Sequence, residues 1–322
     1  MMKAITWLAS FTVGVAALSA PAFANTLEGW STDLDKALET AKAQNKNVLV
    51  EFTGSDWCPP CIAMRKNVFS KKEFVDAASK NFILVELDFP QDKSKLSEET
   101  QKQNKELGDK YAIQGYPTIL LTDAEGRPYA ATGYQKGGPE KYVEHLDELR
   151  KNKAKRDEAF AAAEKAEGVE KAKALVAALD AMGLEDEMVA NTYGDIAEQI
   201  KAADPKDETG FEKKAAVKKR LSDFQGELQE LAGKQDMDGA LALVDKTLEE
   251  GGFGPEQTLQ MMMTRAVIFA QQSKFDEALK AIDEAKFAFP NDPMIPDIEG
   301  FRKRIEEAKT KAADQPEDQD EE

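Results

Sequence analysis

The chain has 322 residues, of which 60 are acidic, 43 basic, one is histidine and two are cysteine. Its net charge of −17 excludes electrostatically driven nucleic-acid binding, which needs a basic surface to neutralise phosphates. One histidine and two cysteines also exclude a disulfide scaffold and most catalytic metal sites, and leave only His145 for a histidine-dependent hydrolase.

The chain opens as an export signal. Lys3 supplies a positive start, Ala4 to Ala20 are apolar and uncharged, and Ala22-Phe23-Ala24 has the small-x-small pattern of a cleavage site. Residues 1–24 therefore read as a signal peptide, with the mature chain starting at Asn25. The apolar run is shorter than the roughly 20 residues of a spanning helix, and no cysteine directly follows it for lipid attachment. No later stretch is apolar enough to cross a bilayer. The expectation is a periplasmic or secreted soluble protein.

Residues 25–150 alternate helices and strands. A helix is predicted over 33–43 from Leu34, Leu38 and Ala41, behind the capping candidates Ser31 and Thr32. Asn47 to Thr53 (NVLVEFT) reads as a buried central strand. A helix opens at Pro59, since proline suits a first helical turn. Ser70 and Glu73 form a capping-box pattern for a further helix. Phe82 to Asp88 (FILVELD) is a second strand, followed by a polar helix from Glu98 to Lys110. Pro117 to Thr122 and Pro128 to Thr132 read as antiparallel strands around Asp123-Ala124-Glu125-Gly126. The last helix of this half starts near Pro139.

The chemistry gathers at Trp57-Cys58-Pro59-Pro60-Cys61, directly after the first strand. Two thiols two residues apart at a helix start can close a disulfide while the first stays accessible. The partial positive charge of the helix N-terminus favours the first thiolate, the nucleophile of exchange. A zinc half-site is the alternative, but four ligands would have to come from carboxylates or other chains. A purely structural disulfide closing so small a loop would stabilise little. Downstream, Gly115-Tyr116-Pro117-Thr118 places a proline before a strand, where a locked cis bond fits.

Val48-Leu49-Val50-Glu51-Phe52 followed by WCPPC, with Tyr116-Pro117 after it, resembles the thioredoxin superfamily over about residues 27–150. The resemblance implies an α/β thioredoxin-like fold, a central mixed sheet flanked by helices. It implies that Cys58 attacks, Cys61 resolves, Pro117 is a cis-proline beside the disulfide, and Glu51 is a buried carboxylate exchanging the proton of Cys61. Trp57 and Tyr116 are assigned to the substrate-facing surface. Where thioredoxins carry a lysine near the buried acid, this chain has Glu86. If both acids point inward, one should be protonated near neutral pH; strand alternation leaves open that Glu86 points to solvent. Pro59 and Pro60 lack N–H donors for the Cys58 sulfur, so the pair is expected toward the reducing side.

Residues 151–322 differ. They carry a net −14 against −4 in 25–150, and are rich in the Ala, Glu and Lys of long helices. Leu146 to Lys165 reads as one continuous helix across the boundary. Ala266, Phe269, Ala278, Ile282, Ala285 and Pro290 have spacings similar to a tetratricopeptide repeat. Leu228, Leu231, Ala240 and Val244 match more loosely, and Ala163 to Met182 suggests a third pair. Met261-Met262-Met263 reads as core. The expected organisation is a thioredoxin-like domain over 25–150, a helical-hairpin domain over 151–310, and an acidic disordered tail over 311–322.

The expected function is thiol:disulfide exchange with protein substrates, as reductase or isomerase rather than strong oxidant, with no prosthetic group or metal. A reductase in an oxidising compartment would need a membrane-embedded thiol-electron donor. The helical region would offer a concave docking surface for a protein partner, or simply pack on itself and on the redox domain. The rival function is a non-enzymatic scaffold whose helical domain recruits that partner.

Overall fold

A computed structural model describes residues 27–313. The signal-peptide reading of 1–24 and the acidic run 314–322 lie outside the described residues. The chain divides into two compact units, the first ending at Thr209 and the second beginning at Gly210.

In the first unit the apolar, β-rich segments form a four-stranded mixed sheet of order β2-β1-β3-β4. β1 (Asn47–Thr53) runs parallel to β2 (Phe82–Asp88) and antiparallel to β3 (Thr118–Thr122), which pairs antiparallel with β4 (Pro128–Thr132). β1 is the central strand, and six of its seven residues are buried. α1 (Leu34–Gln44) places Leu34, Ala37 and Ala41 on one face of the sheet, against Val48, Val50, Phe52, Val85 and Leu87. Its N-cap is Asp33, which accepts from the Lys36 N–H, rather than Ser31 or Thr32. Ser31 is engaged at the sheet edge, exchanging backbone hydrogen bonds with Leu84 and Glu86.

Alternation sends Leu49, Glu51, Leu84 and Glu86 to the opposite face. α2 (Pro59–Met64) follows β1 and passes into a π-helical turn, Arg65–Phe69. Phe69 from this turn, Trp30, Phe74 of α3 (Lys72–Ala78) and Tyr142 form an aromatic cluster with neighbouring ring centroids 4.9–5.5 Å apart. The capping box at Ser70 does not form. Ser70 instead caps the C-terminus of the π turn, with Oγ donating to the Lys66 carbonyl, and Lys71 becomes the N-cap of α3 without a side-chain bond. A 3₁₀ turn, Lys93–Lys95, precedes α4 (Glu98–Lys110). The β3–β4 turn closes through Asp123, whose Oδ1 accepts from the Glu125 and Arg127 N–H groups, with Gly126 at φ 79°.

The boundary expected at 150 is displaced. α5 runs unbroken from Gly138 to Ala163, and α6 (Gly168–Asp180) and α7 (Asp186–Ala203) belong to the same unit as the sheet. The fastening is polar. Arg156 of α5, 4% exposed, pairs with Asp123 at 3.0 Å and donates to the Tyr193 hydroxyl at 2.8 Å. Tyr193 of α7 donates onward to the Pro128 carbonyl of β4 at 2.8 Å. Met188 of α7 joins the core beside Leu120 and Tyr111. Helical periodicity identifies an apolar face but not its partner, so the sequence alone places these helices in the wrong unit.

The described residues of the second unit form five helices: α8 (Phe211–Gly233), α9 (Met237–Glu250), α10 (Pro255–Gln271), α11 (Phe275–Ala288) and α12 (Ile295–Ala313). Each packs on its chain neighbour, as helical hairpins do. Ala266, Ala278, Ile282 and Ala285 are fully buried in one core with Leu259 and Ile298; Ala240, Val244 and Met261 lie in a second with Phe224. α12 is helical through Ala313, so the tail expected from 311 cannot begin before 314. Among the described residues, no helix is long and apolar enough to cross a membrane.

Candidate functional site

β1 delivers the chain into the loop Gly54–Trp57, and α2 starts at Pro59 with Cys58 as its N-cap. Cys58 and Cys61 are joined in a disulfide. The prolines remove two donors from the first turn, but one remains: the Cys61 N–H points at the Cys58 sulfur, 3.3 Å away. Cys58 is 3% and Cys61 1% exposed. The accessibility expected for Cys58 is therefore small while the disulfide is closed. The Tyr116 carbonyl oxygen lies 3.6 Å from its sulfur, and the Tyr116–Pro117 peptide is cis.

Aromatic side chains flank this contact. Trp57 meets Tyr116 edge-on at 5.7 Å, and Tyr116 packs on Phe89 at 5.1 Å. The Trp57 indole N–H donates to the Phe89 carbonyl at 2.8 Å. A side chain at Gly54 would bring a Cβ within 2.6 Å of that indole, so the ring holds this position only against a glycine. Trp57 keeps 41% of its surface exposed and Ile62 43%, an apolar rim beside the cysteines.

The loop is clasped from below by residues that sequence reasoning missed. Asp88 at the end of β2 accepts from the Ser55 N–H at 2.9 Å and the Ser55 hydroxyl at 2.6 Å. Asp56 accepts from the Gln91 N–H at 2.9 Å and from Lys95 at 2.8 Å. These bonds, Lys95 first, hold its carboxyl down at about 2. Asp, Ser and Gly next to a CXXC are a turn signal, but their partners lie more than 30 residues away.

Glu51 and Glu86 face one another in the β1–β2 register, which resolves the choice left by alternation: both point inward, 1% and 4% exposed. Neither Glu51 carboxylate oxygen has a hydrogen-bond partner. Burial pushes its titration well above the usual carboxylate range, and the Glu86 charge adds to this. Arg65, the first residue of the π turn, forms an ion pair with Glu86. Burial still pushes Glu86 up to about 7, against the pull of Arg65. Arg65 is the countercharge that a reading based on strands alone overlooked. Tyr142 lies close enough for the Glu51 charge to raise its titration further, after burial. His145 is half-buried, 2.8 Å from the Thr132 hydroxyl and against Tyr142, apart from the cysteine pair. Among the described residues no group of three or more His, Cys, Asp or Glu could hold a metal ion.

Residues 34–150 match the model of a thioredoxin-like domain. The chain is 40% identical over 108 residues to the disulfide bond reductase DsbH of Chlamydia pneumoniae, covering 34% of this chain and 64% of that protein. It is 33% identical over 98 residues to the thioredoxin-related protein DsbJ of the same organism, covering 30% of this chain and 28% of that one. The solved structure of a DsbH oxidoreductase shares 34% identity, with a TM-score of 0.36, covering 42% of this chain and 93% of that one. The chain thus spans under two thirds of the length of either curated relative. Residues 34–150 are a thioredoxin-like domain homologous to the DsbH and DsbJ proteins, with Cys58 and Cys61 as its CXXC pair.

Proposed function

We propose that this protein is a thiol:disulfide oxidoreductase acting on protein disulfides outside the cytoplasm, in the reducing or isomerising direction. The observation that carries the reading is the Cys58–Cys61 disulfide at the start of α2, with the cis Tyr116–Pro117 peptide at the Cys58 sulfur. In the reduced protein the Cys58 thiolate attacks a substrate disulfide, forming a mixed disulfide and expelling one substrate thiolate. Glu51 takes the proton of Cys61, whose thiolate attacks the Cys58 sulfur. The second substrate sulfur leaves with the electron pair, and the protein disulfide closes. Two electrons pass from the cysteine pair to the substrate.

A carboxyl with raised titration suits this step. It narrows the gap to a thiol, near 8.5 when unperturbed, so the transfer from Cys61 is less unfavourable than to an ordinary carboxylate. The reducing direction is supported by the prolines, which leave the Cys61 N–H as the donor in the α2 turn facing Cys58, and by the reductase name of DsbH. Pro117 would hold the substrate backbone beside Cys58, and Trp57 and Tyr116 would form the apolar surface around it. The electrons would come from a membrane-embedded thiol donor, and the helical region would bind a protein partner. The sequence motif at 1–24 supports export.

The test is trapping. Cys61→Ser should accumulate mixed disulfides on non-reducing gels, and Cys58→Ser should form none. A Cys61→Ser protein that traps nothing, in parallel with wild-type protein that cannot reduce insulin in dithiothreitol, would favour a scaffold. A measured reduction potential for the Cys58–Cys61 pair then fixes the direction.

A further inference from the structure

The proton that Glu51 accepts must leave the protein in every turnover, and Glu51 is buried with no hydrogen-bond partner. Its ladder partner across β1–β2 is Glu86. Adjacent strands lie about 4.8 Å apart, so two side chains on the same face in register are neighbours. Glu86 also lines a polar cavity of about 220 Å³, together with Arg65, Asp88, Ser55, Asp56 and Lys95; Glu51 is not part of that lining. The cavity has ample room for water, whose share of the liquid is about 30 Å³ per molecule.

Resting on the reading of Cys58, Cys61 and Glu51 given above, we propose that Glu86 is a proton relay between Glu51 and the polar cavity, and that Arg65 positions and charges it for that role. The site has the necessary order. Glu51 faces the interior, Glu86 is its register neighbour, and the cavity lies beyond Glu86. Without a cation, two carboxylates so close would hold both protons or neither usefully; the Arg65 ion pair lets Glu86 exist ionised and therefore accept. The charges around Glu86 are Glu51 on β1, Asp88 on its own strand, and Arg65 on the π turn, with Asp56 and Lys95 across the cavity; the Leu27 N–H also bonds its carboxylate. Burial, with Asp88, pushes Glu86 up to about 7 against the pull of Arg65 and the Leu27 N–H, so both protonation states are populated and the proton can pass on to water. The relay moves a proton only. Bonds break and form at sulfur as before, and the proton lost by Cys61 goes through Glu51 and Glu86 to solvent.

Single-turnover kinetics of the reduced protein with a disulfide peptide, resolving formation and release of the mixed disulfide across the pH range, tests the relay. In Glu86→Gln, formation should stay within about twofold while release slows about tenfold, the lower side of general acid–base effects, with an enlarged solvent isotope effect. Glu86→Asp should recover part of the rate. Arg65→Gln should move the pH midpoint of release upward, a shift that a merely structural role would not cause. The double variant Glu86→Gln/Arg65→Gln removes both charges together, so the release rate can be read even if the single variant, with the Arg65 charge no longer matched by Glu86, does not fold. Normal release with an unmoved pH profile in folded Glu86 variants, alongside slow release in Glu51→Gln, overturns the relay and leaves Glu51 as base. Unchanged release in Glu51→Gln instead overturns the role of Glu51 itself, and the relay with it.

Discussion

Two buried carboxyls on adjacent strands should make this fold lose stability as pH rises through the neutral range. Glu86 is pushed from 4.5 to about 7, a difference worth up to about 3 kcal/mol at about 1.4 kcal/mol per pH unit. The sign follows from proton counts. Between those values the unfolded chain has released the proton and the folded chain still holds it, so the folded state binds more protons and stability falls with rising pH. Below 4.5 the acid is neutral in both states and no penalty exists; above about 7 the full penalty is present. Glu51, raised mainly by burial, contributes with the same sign. The lowered aspartates Asp33, Asp56, Asp92, Asp157 and Asp204 act below their ordinary 3.8 and do not enter this window. The assay is urea unfolding of the oxidised protein from about pH 5 to about pH 8, followed by tryptophan fluorescence. The described tryptophans, Trp30 and Trp57, both belong to the first unit, which matters because two units need not unfold as one transition. Glu51→Gln should match wild type near pH 5, exceed it near pH 8, and show a shallower slope. Stability that is flat or rising across this range, or an identical slope in Glu51→Gln, would refute the reasoning.

Arg156→Met should destabilise the first unit by about 3 kcal/mol, the low end for breaking a buried ion pair, because Asp123 keeps its bonds from the Glu125 and Arg127 N–H groups. Urea unfolding measures this, and a loss below about 1 kcal/mol would show that the pair does not fasten α5 to the sheet. Ending the chain after Thr209 should preserve the fold and the Cys58–Cys61 reduction potential, whereas ending it at 150 cuts α5 and removes Arg156; a large change of potential in the longer truncation would contradict the assignment of the redox groups to the first unit. Rates toward charged protein substrates should change on that truncation and the difference should fade with salt, since exposed charges are screened beyond about 8 Å at physiological ionic strength.

The sequence by itself determined the local chemistry. NVLVEFT could bury both faces only as a central strand, FILVELD was a second apolar strand, and a proline pair after Cys58 suited a helix start. The order of these elements, with Tyr116-Pro117 before β3, was enough to specify the thioredoxin-like fold and its cysteine pair. Helical content beyond residue 150 was equally legible, since the helical spacing of Ala278, Ile282 and Ala285 is a property of neighbouring residues along the chain. What the tertiary structure decided was every pairing between distant residues. Strand alternation allows two directions for Glu86, and only register against Glu51 chose one. Arg65 faces Glu86 because a π turn follows α2, and a one-residue change in helical winding is invisible to composition. Ser55 and Asp56 hold the cysteine loop through Asp88, the last residue of β2, and through Gln91 and Lys95 just after it. Arg156, on the helix that reads as continuous from Leu146 to Lys165, lies buried between Asp123 and Tyr193 and ties α5 and α7 to the sheet of the first unit. Periodicity records which face of an element is apolar or charged, while the partner of that face depends on how the whole chain closes.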